Sequence, residues 1–271
     1  MYLCDSHTHS QISPDSDTPL EEMARQAMAL GLTELCVTDH CDLVDDQGQP
    51  VDRFDWPGAK DQYRQVRALV DGQLTLRLGL ELGSAVYAPD TARRILDQGR
   101  PELDFVLGSL HNWLGERDNL DLYFTDFTGD PALARHCVEH CLAHTWTLVK
   151  DCPDCYDSLA HIIYPLRYIR RDGLELSLAG YEQPVRDIFT QIARTGHALE
   201  LNTYQGRTVG EWLPLLRWFR ECGGEYVTLG SDAHRTNSLG KGLADALQLL
   251  EQAGFRYVTT YEQRRPVPHK L

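Results

Sequence analysis

The chain has 271 residues, 42% of them hydrophobic, which is enough for one large buried core. Lysine and arginine number 26 against 40 aspartate and glutamate, and the formal charge of −14 opposes attraction to phosphate backbones and anionic lipid, so no nucleic-acid or membrane partner is expected. No apolar run is long enough to span a bilayer and no basic-then-apolar leader opens the chain, which points to a cytoplasmic protein whose eight cysteines stay reduced.

Short apolar runs alternate with longer amphipathic segments, the pattern of βα units around a parallel sheet or barrel. A first strand over 2–6 leads into His7-Thr8-His9. The helix after it carries full end signals, with Thr18 as N-cap, Pro19 at the first helical position, Glu21 closing a capping box and Gly31 as the stop. A second strand, 34–38, closes on Asp39-His40 and opens into an acidic loop over 41–56. The third, 74–80, closes on Glu81, and the fourth, 105–109, on His111, followed by a loop to residue 129 rich in aspartate and aromatics. The fifth, 158–160, closes on His161. The sixth, 198–202, supplies no strong ligand, and the seventh, 226–230, closes on Asp232-Ala233-His234. Gly196, Gly223 and Gly254 stop the later helices. No repeat, low-complexity tract or linker divides the chain, and residues 1–271 are expected to form one domain.

In a parallel barrel the C-terminal strand ends meet at one mouth, so these residues converge although they span most of the chain. Residues two apart in extended backbone point the same way, so His-x-His and Asp-x-His each present two ligands on one face. Imidazole and carboxylate without thiolate suit Zn, Mn or Fe in a hydrolytic site, and a carboxylate such as Glu81 is able to bridge two ions. Taken singly, His111 and His161 read as ordinary structural histidines; taken jointly, the strand ends read as a metal centre. The two long loops are candidates for covering it.

A competing constellation is His136, Cys137, His140, Cys141 and His144 on one helix-like stretch, followed by Cys152-Pro153-Asp154-Cys155, which would make a structural zinc site. Buried thiols on a helix with a solvated polar face explain the same residues, and Cys4, Cys36, Cys41 and Cys222 read as small core residues. Glycine-rich nucleotide loops and a serine-nucleophile elbow are absent.

The ordered motifs, from His7-Thr8-His9 to Gly230-Ser231-Asp232-Ala233-His234, resemble the PHP (polymerase and histidinol phosphatase) family over essentially the whole chain. Ser13-Pro14-Asp15-Ser16 and Leu201-Asn202-Thr203 resemble its histidinol-phosphatase branch. The resemblance implies an α/β fold, a distorted (β/α)7 barrel, holding a trinuclear centre of Zn, Mn or Fe ions. It implies a phosphatase acting on a small-molecule phosphomonoester, with L-histidinol phosphate, a histidine-biosynthetic intermediate, as the leading substrate. By carry-over, His7, His9, Glu81 and Asp232 bind one ion, His40 with His234 a second, and Glu81, His111 and His161 the third. Asp15 stands near where many members place a histidine, and its oxygen is still able to ligate the second ion.

The implied chemistry is in-line attack on phosphorus by a hydroxide bridging two ions. Arg207 matches the place of a phosphate-binding arginine, with Arg167 or Arg170 as a second candidate. Asp232 or His234 would relay the leaving-group proton, and Asp42 would contact the substrate's ammonium or imidazole. The alternatives within the family are hydrolysis of another phosphoester or of a C–N bond, or metal binding without catalysis.

Overall fold

The computed structural model describes residues 2–271. Strands β1 (Cys4–Thr8), β2 (Glu34–Val37), β3 (His40–Asp42), β4 (Thr75–Gly83), β5 (Phe105–Ser109), β6 (Ser158–Leu159), β7 (Ala198–Asn202) and β8 (Val227–Gly230) form one parallel sheet. The order is β1-β2-β4-β5-β6-β7-β8, with short β3 pairing β4 beyond the end of β2. The sheet curls until its edges nearly meet. Thr8 bridges Ala233 in parallel, and the His9 and Asp232 amides donate to the carbonyls of Ala233 and His7, both at 2.9 Å. The expected barrel of seven βα units is present, and its distortion lies at that incomplete seam.

Helices wrap the outside, each burying one stripe: α1 (Leu20–Ala29) packs Leu20, Met23, Ala24 and Ala27 inward, at the spacing of a single helical face. Along the chain follow α2 (Trp56–Val70), α3 (Pro89–Gly99), α4 (Pro131–Asp151), α5 (Tyr164–Arg171), α6 (Glu182–Thr195), α7 (Trp212–Glu221) and α8 (Leu243–Ala253). Burying each Leu, Ile or Phe side chain between helix and sheet contributes roughly 1.5–3 kcal/mol, so this layer dominates stability. Among the described residues no helix is long and apolar enough to cross a membrane.

The first helix starts differently from its sequence signals. Pro19 occupies the N-cap, without a side-chain cap, and the helix begins at Leu20. The Thr18 hydroxyl donates instead to the carbonyl of His234, at 3.0 Å, beside the Ser16 hydroxyl at 2.9 Å. A tertiary bond to the far end of the barrel has taken the hydroxyl that the capping box would use. Gly31 does end the helix, with a left-handed φ of 73°.

An antiparallel hairpin, β9 (Tyr257–Glu262) and β10 (Arg265–Lys270), was not anticipated. It caps the N-terminal mouth of the barrel. At its turn Gln263 and Arg264 donate amides to Asp104, at 3.0 and 2.8 Å, and the Arg264 guanidinium reaches the Asp157 carboxylate at 3.1 Å. Tyr261 enters the small inner cluster with Cys36, Phe105, Leu107, Ala160 and Ala198. With this end filled, the opposite end is left for the polar residues.

Candidate metal centre

At the C-terminal mouth the strands present their polar ends to one another. Strands β1 and β4 each run further than expected, so His7 lies within β1 and Glu81 within β4. Glu81 is fully buried at the centre. Its Oε2 lies 3.0 Å from His7 Nε2, 3.1 Å from His40 Nδ1 and 3.6 Å from His9 Nε2. Its Oε1 lies 2.8 Å from His161 Nε2 and 3.2 Å from His111 Nε2. Asp232 Oδ1 stands 3.6 Å from both His7 Nε2 and His9 Nε2. Asp15, on the loop after β1, puts Oδ2 at 2.9 Å from His234 Nε2 and 3.6 Å from His40 Nε2.

Four groups of donor atoms have the mutual spacing of metal ligands: His7 with Glu81 and His161; His7 with His9 and Asp232; His9 with His40 and His234; His40 with Glu81 and His111. The partition differs from the carried-over one in that His9 also faces His40 and His234, and in that His161 and His111 share Glu81 with His7 and with His40 rather than with each other. Bond lengths of 2.0–2.2 Å put two ligands of one ion about 3.0–3.6 Å apart, the separation that recurs here. His9 Nε2 and His40 Nδ1 are buried without a hydrogen-bond partner. Burial is costly for such nitrogens unless something else fills the lone pair, and a cation between them and the carboxylates does so. The residues fit a cluster of divalent ions.

Electrostatics prepares the donors. Burial pushes the Glu81 and Asp232 carboxyls upward, but the charges of His7, His40 and His111 around Glu81, and of His7 and Arg167 around Asp232, hold both well below the usual carboxylate range. Burial, reinforced by His234 and His40, holds the His9 imidazole well below its ordinary value and therefore neutral. Against burial, carboxylates raise His7, His40 and His111 in turn, with His40 pushed up to about 9, so a cation binding here would displace protons from these rings.

The remaining residues singled out from the sequence divide. Asp42, on β3, accepts from His111 Nδ1 at 2.8 Å, and its other oxygen faces His40 Nδ1 at 3.4 Å. Arg167 is buried and donates to Asp232 Oδ2 and Asn202 Oδ1, both at 2.8 Å. Arg207 is exposed on the loop after β7; its guanidinium lies 4.9 Å from the centre of the Tyr204 ring, and that of Arg167 4.1 Å from the same ring. Arg170 is not brought to the centre: it points away on α5 and pairs with Glu211 at 2.7 Å.

Nor do the cysteines and histidines of 136–155 gather as a zinc site. His136 donates to Glu116 at 2.7 Å, His144 to the carbonyl of His140 at 3.1 Å, and Cys137, Cys141, Cys152 and Cys155 are buried thiols, none in a ligand group among the described residues.

Among the buried carboxylates to which the sequence reading gave no role, Asp39 and Glu200 support the centre. Asp39 accepts from the amide and hydroxyl of Ser10 and the hydroxyl of Ser13, fixing the loop that carries Asp15. Glu200, on β7, accepts from His7 Nδ1 at 2.6 Å. The available signal was a glutamate amid the apolar run Ala198-Leu199-Glu200-Leu201, since such a charge needs an internal partner.

Beside the cluster opens a cavity of about 710 Å³ whose walls include Asp42, Asp45, Asp121, Tyr123, Phe124 and Tyr164. The two long loops close over it, tied by Asn112 Nδ2, which donates to the carbonyls of Asp45 at 2.9 Å and Asn119 at 3.0 Å.

A family model described as the PHP domain matches residues 5–204. Histidinol-phosphatase of Lactococcus lactis is 26% identical across 96% of this chain and 95% of that protein. A probable histidinol-phosphatase of Clostridium acetobutylicum is 29% identical, across 94% and 95%. Among solved structures, the Lactococcus lactis histidinol phosphate phosphatase complexed with zinc, L-histidinol and phosphate superposes with a TM-score of 0.84 at 24% identity, covering 98% of each chain. The putative histidinol phosphatase of Listeria monocytogenes superposes with a TM-score of 0.73 at 16% identity, covering 89% of this chain and 99% of that one. These structural likenesses establish the fold.

Proposed function

Because the chain belongs to the PHP domain family, we propose that it is a metal-dependent phosphatase that hydrolyses L-histidinol phosphate to L-histidinol and phosphate. The observation that carries the reading is the convergence of five histidines on the Glu81 carboxylate, all within 3.6 Å, beside a cavity sized for a small molecule. The similarity to curated histidinol-phosphatases along nearly the full chain supports the substrate. In this reading residues 1–271 act as one domain, in the cytoplasm, on a small-molecule phosphoester.

Three ions of Zn, Mn or Fe suit the donor set: His7, His9, Glu81 and Asp232 would hold one, His40, His234 and Asp15 a second, and Glu81, His111 and His161 a third. When bound, such ions acidify water and offset charge on the phosphoryl oxygens. The protein's own groups do the rest. Arg167 keeps Asp232 ionised and oriented and adds buried positive charge toward a bound phosphate, and Arg207, against the same Tyr204 ring, offers exposed cationic donors at the rim. Asp232 and His234 are the candidates to move the leaving-group proton, since the alkoxide leaves poorly without one. The leaving group carries an ammonium and an imidazole, and the cavity answers with carboxylates, Asp42 among them, and the flat faces of Tyr123, Phe124 and Tyr164. Phosphate release from L-histidinol phosphate, measured against a panel of other phosphoesters, tests the proposal.

A further inference from the structure

The buried carboxylate of Glu200 serves no step described above, yet it stands at the junction of the cluster. Strand β7 is buried throughout, and alternation puts Glu200 and Asn202 on the face opposite Leu199 and Leu201, toward the barrel axis. Glu200 Oε1 takes the hydrogen of His7 Nδ1 at 2.6 Å and Oε2 that of the His161 amide at 2.7 Å, while Asn202 Nδ2 adds a third bond at 3.1 Å. No lysine or arginine pairs with Glu200 among the described residues. Its oxygens thereby engage the Nδ1 side of the ring, so Nε2, 3.0 Å from Glu81 Oε2 and 3.6 Å from Asp232 Oδ1, is the nitrogen left to ligate a metal.

The surroundings are built for this pair. Asn202 passes the network on: its Oδ1 accepts from Arg167, which donates to Asp232, which faces His7 again, so Glu200, Asn202, Arg167, Asp232 and His7 form a closed ring. Gly230, on the neighbouring strand, provides the space, because a Cβ there would collide with both His7 Cβ and Glu200 Oε1.

We propose that Glu200 is a positioning residue for the metal centre, locking His7 in the tautomer and orientation that bind metal and anchoring His161 through its backbone. This rests on the metal-centre part of the functional reading and not on the identity of the substrate. An outer carboxylate bound to a ligating histidine typically governs metal affinity by 10–100-fold.

The test is Glu200→Gln in the full-length protein, nearly isosteric but without the charge. Zn²⁺ affinity is measured by competition with a chromophoric chelator, and thermal melting is recorded on the metal-free protein, with Glu34→Gln at the other end of the barrel as control. The expected result is a 10–100-fold loss of affinity in at least one Zn²⁺ site, a metal-free melting temperature within a few degrees of wild type, and unchanged affinity in the control. Gly230→Ala, which forces His7 and Glu200 apart, is expected to lower affinity in the same direction. Wild-type affinity in Glu200→Gln, or a metal-free form that no longer folds, overturns the proposal by reducing Glu200 to a structural residue. Neither readout uses substrate, so a failure of the histidinol phosphate assignment would leave this result standing.

Discussion

Asp15 and His234, drawn from the two ends of the chain, meet with Oδ2 2.9 Å from Nε2. The contact closes the seam of the barrel above β1 and β8, and Ser16 and Thr18 reinforce it by donating to the His234 carbonyl. Burial raises the Asp15 carboxyl, but His234 and His40 outweigh it and hold the group ionised well below the usual range. Asp15→Ala is expected to lower the metal content by about one ion per chain and kcat/KM by ~10-fold or more, whereas Asp15→His retains the ion. Elemental analysis of the purified variants, with kinetics on the same samples, checks this.

Removing metal is expected to abolish turnover and to destabilise the fold. Ligand binding at one hundred times Kd contributes about 2.7 kcal/mol per site, and for a chain of this size each kcal/mol shifts Tm by about 2–4 °C. Exhaustive chelation should therefore lower Tm by at least about 5 °C, and Zn²⁺ should restore both properties. Differential scanning calorimetry before and after chelation reads the shift.

Arg167 and Arg207 should separate in kinetics. Arg167→Gln leaves the buried Asp232 carboxylate without its cation, a kind of loss worth about 3–5 kcal/mol, so kcat/KM is expected to fall by about 100-fold or more. Arg207→Ala removes an exposed side chain and is expected to raise KM by ~10-fold with a smaller change in kcat. Steady-state kinetics with L-histidinol phosphate distinguishes them.

His140 supplies a pH dependence away from the metal centre. Burial, with the neighbouring His144 and despite Glu116, lowers its pKa to about 4. A group that is harder to protonate in the folded state stabilises fully above its unfolded pKa of about 6.5, and that contribution is lost as pH falls toward about 4. Between pH 7.5 and 5 the stability advantage of metal-free wild type over His140→Leu should shrink by about 1 kcal/mol, after allowance for partial solvent screening. Denaturant unfolding at the two pH values gives the difference.

Most of the barrel was legible because its strands are short apolar runs that end in residues with lone pairs, a pattern that periodicity and spacing both register. Strand β3 was not, since His40-Cys41-Asp42 is too short to show alternation. The C-terminal hairpin was hidden by its turn, where Gln263 and Arg264 adopt left-handed φ of 47° and 60° without the glycine or asparagine that usually announces one. Thr18 reads as a cap because local bonding favours that use, and only the assembled barrel offers the His234 carbonyl instead. The roles of Glu200 and Asp39 were hidden for the same reason: their partners, His7 and Ser10, arrive from β1 and the loop after it. Arg167 and Arg170 are indistinguishable in sequence, and only the assembled fold gives Arg167 the buried Asp232 and Arg170 the partly exposed Glu211 as partner.

The most direct test is phosphate release from L-histidinol phosphate by the purified protein, with metal content determined on the same preparation, His9→Ala as control and other phosphomonoesters in parallel. The account predicts selective turnover that depends on bound metal and falls by at least about 100-fold in His9→Ala. Fully metallated protein that releases no phosphate from L-histidinol phosphate, or releases it no faster than from unrelated monoesters, would contradict it.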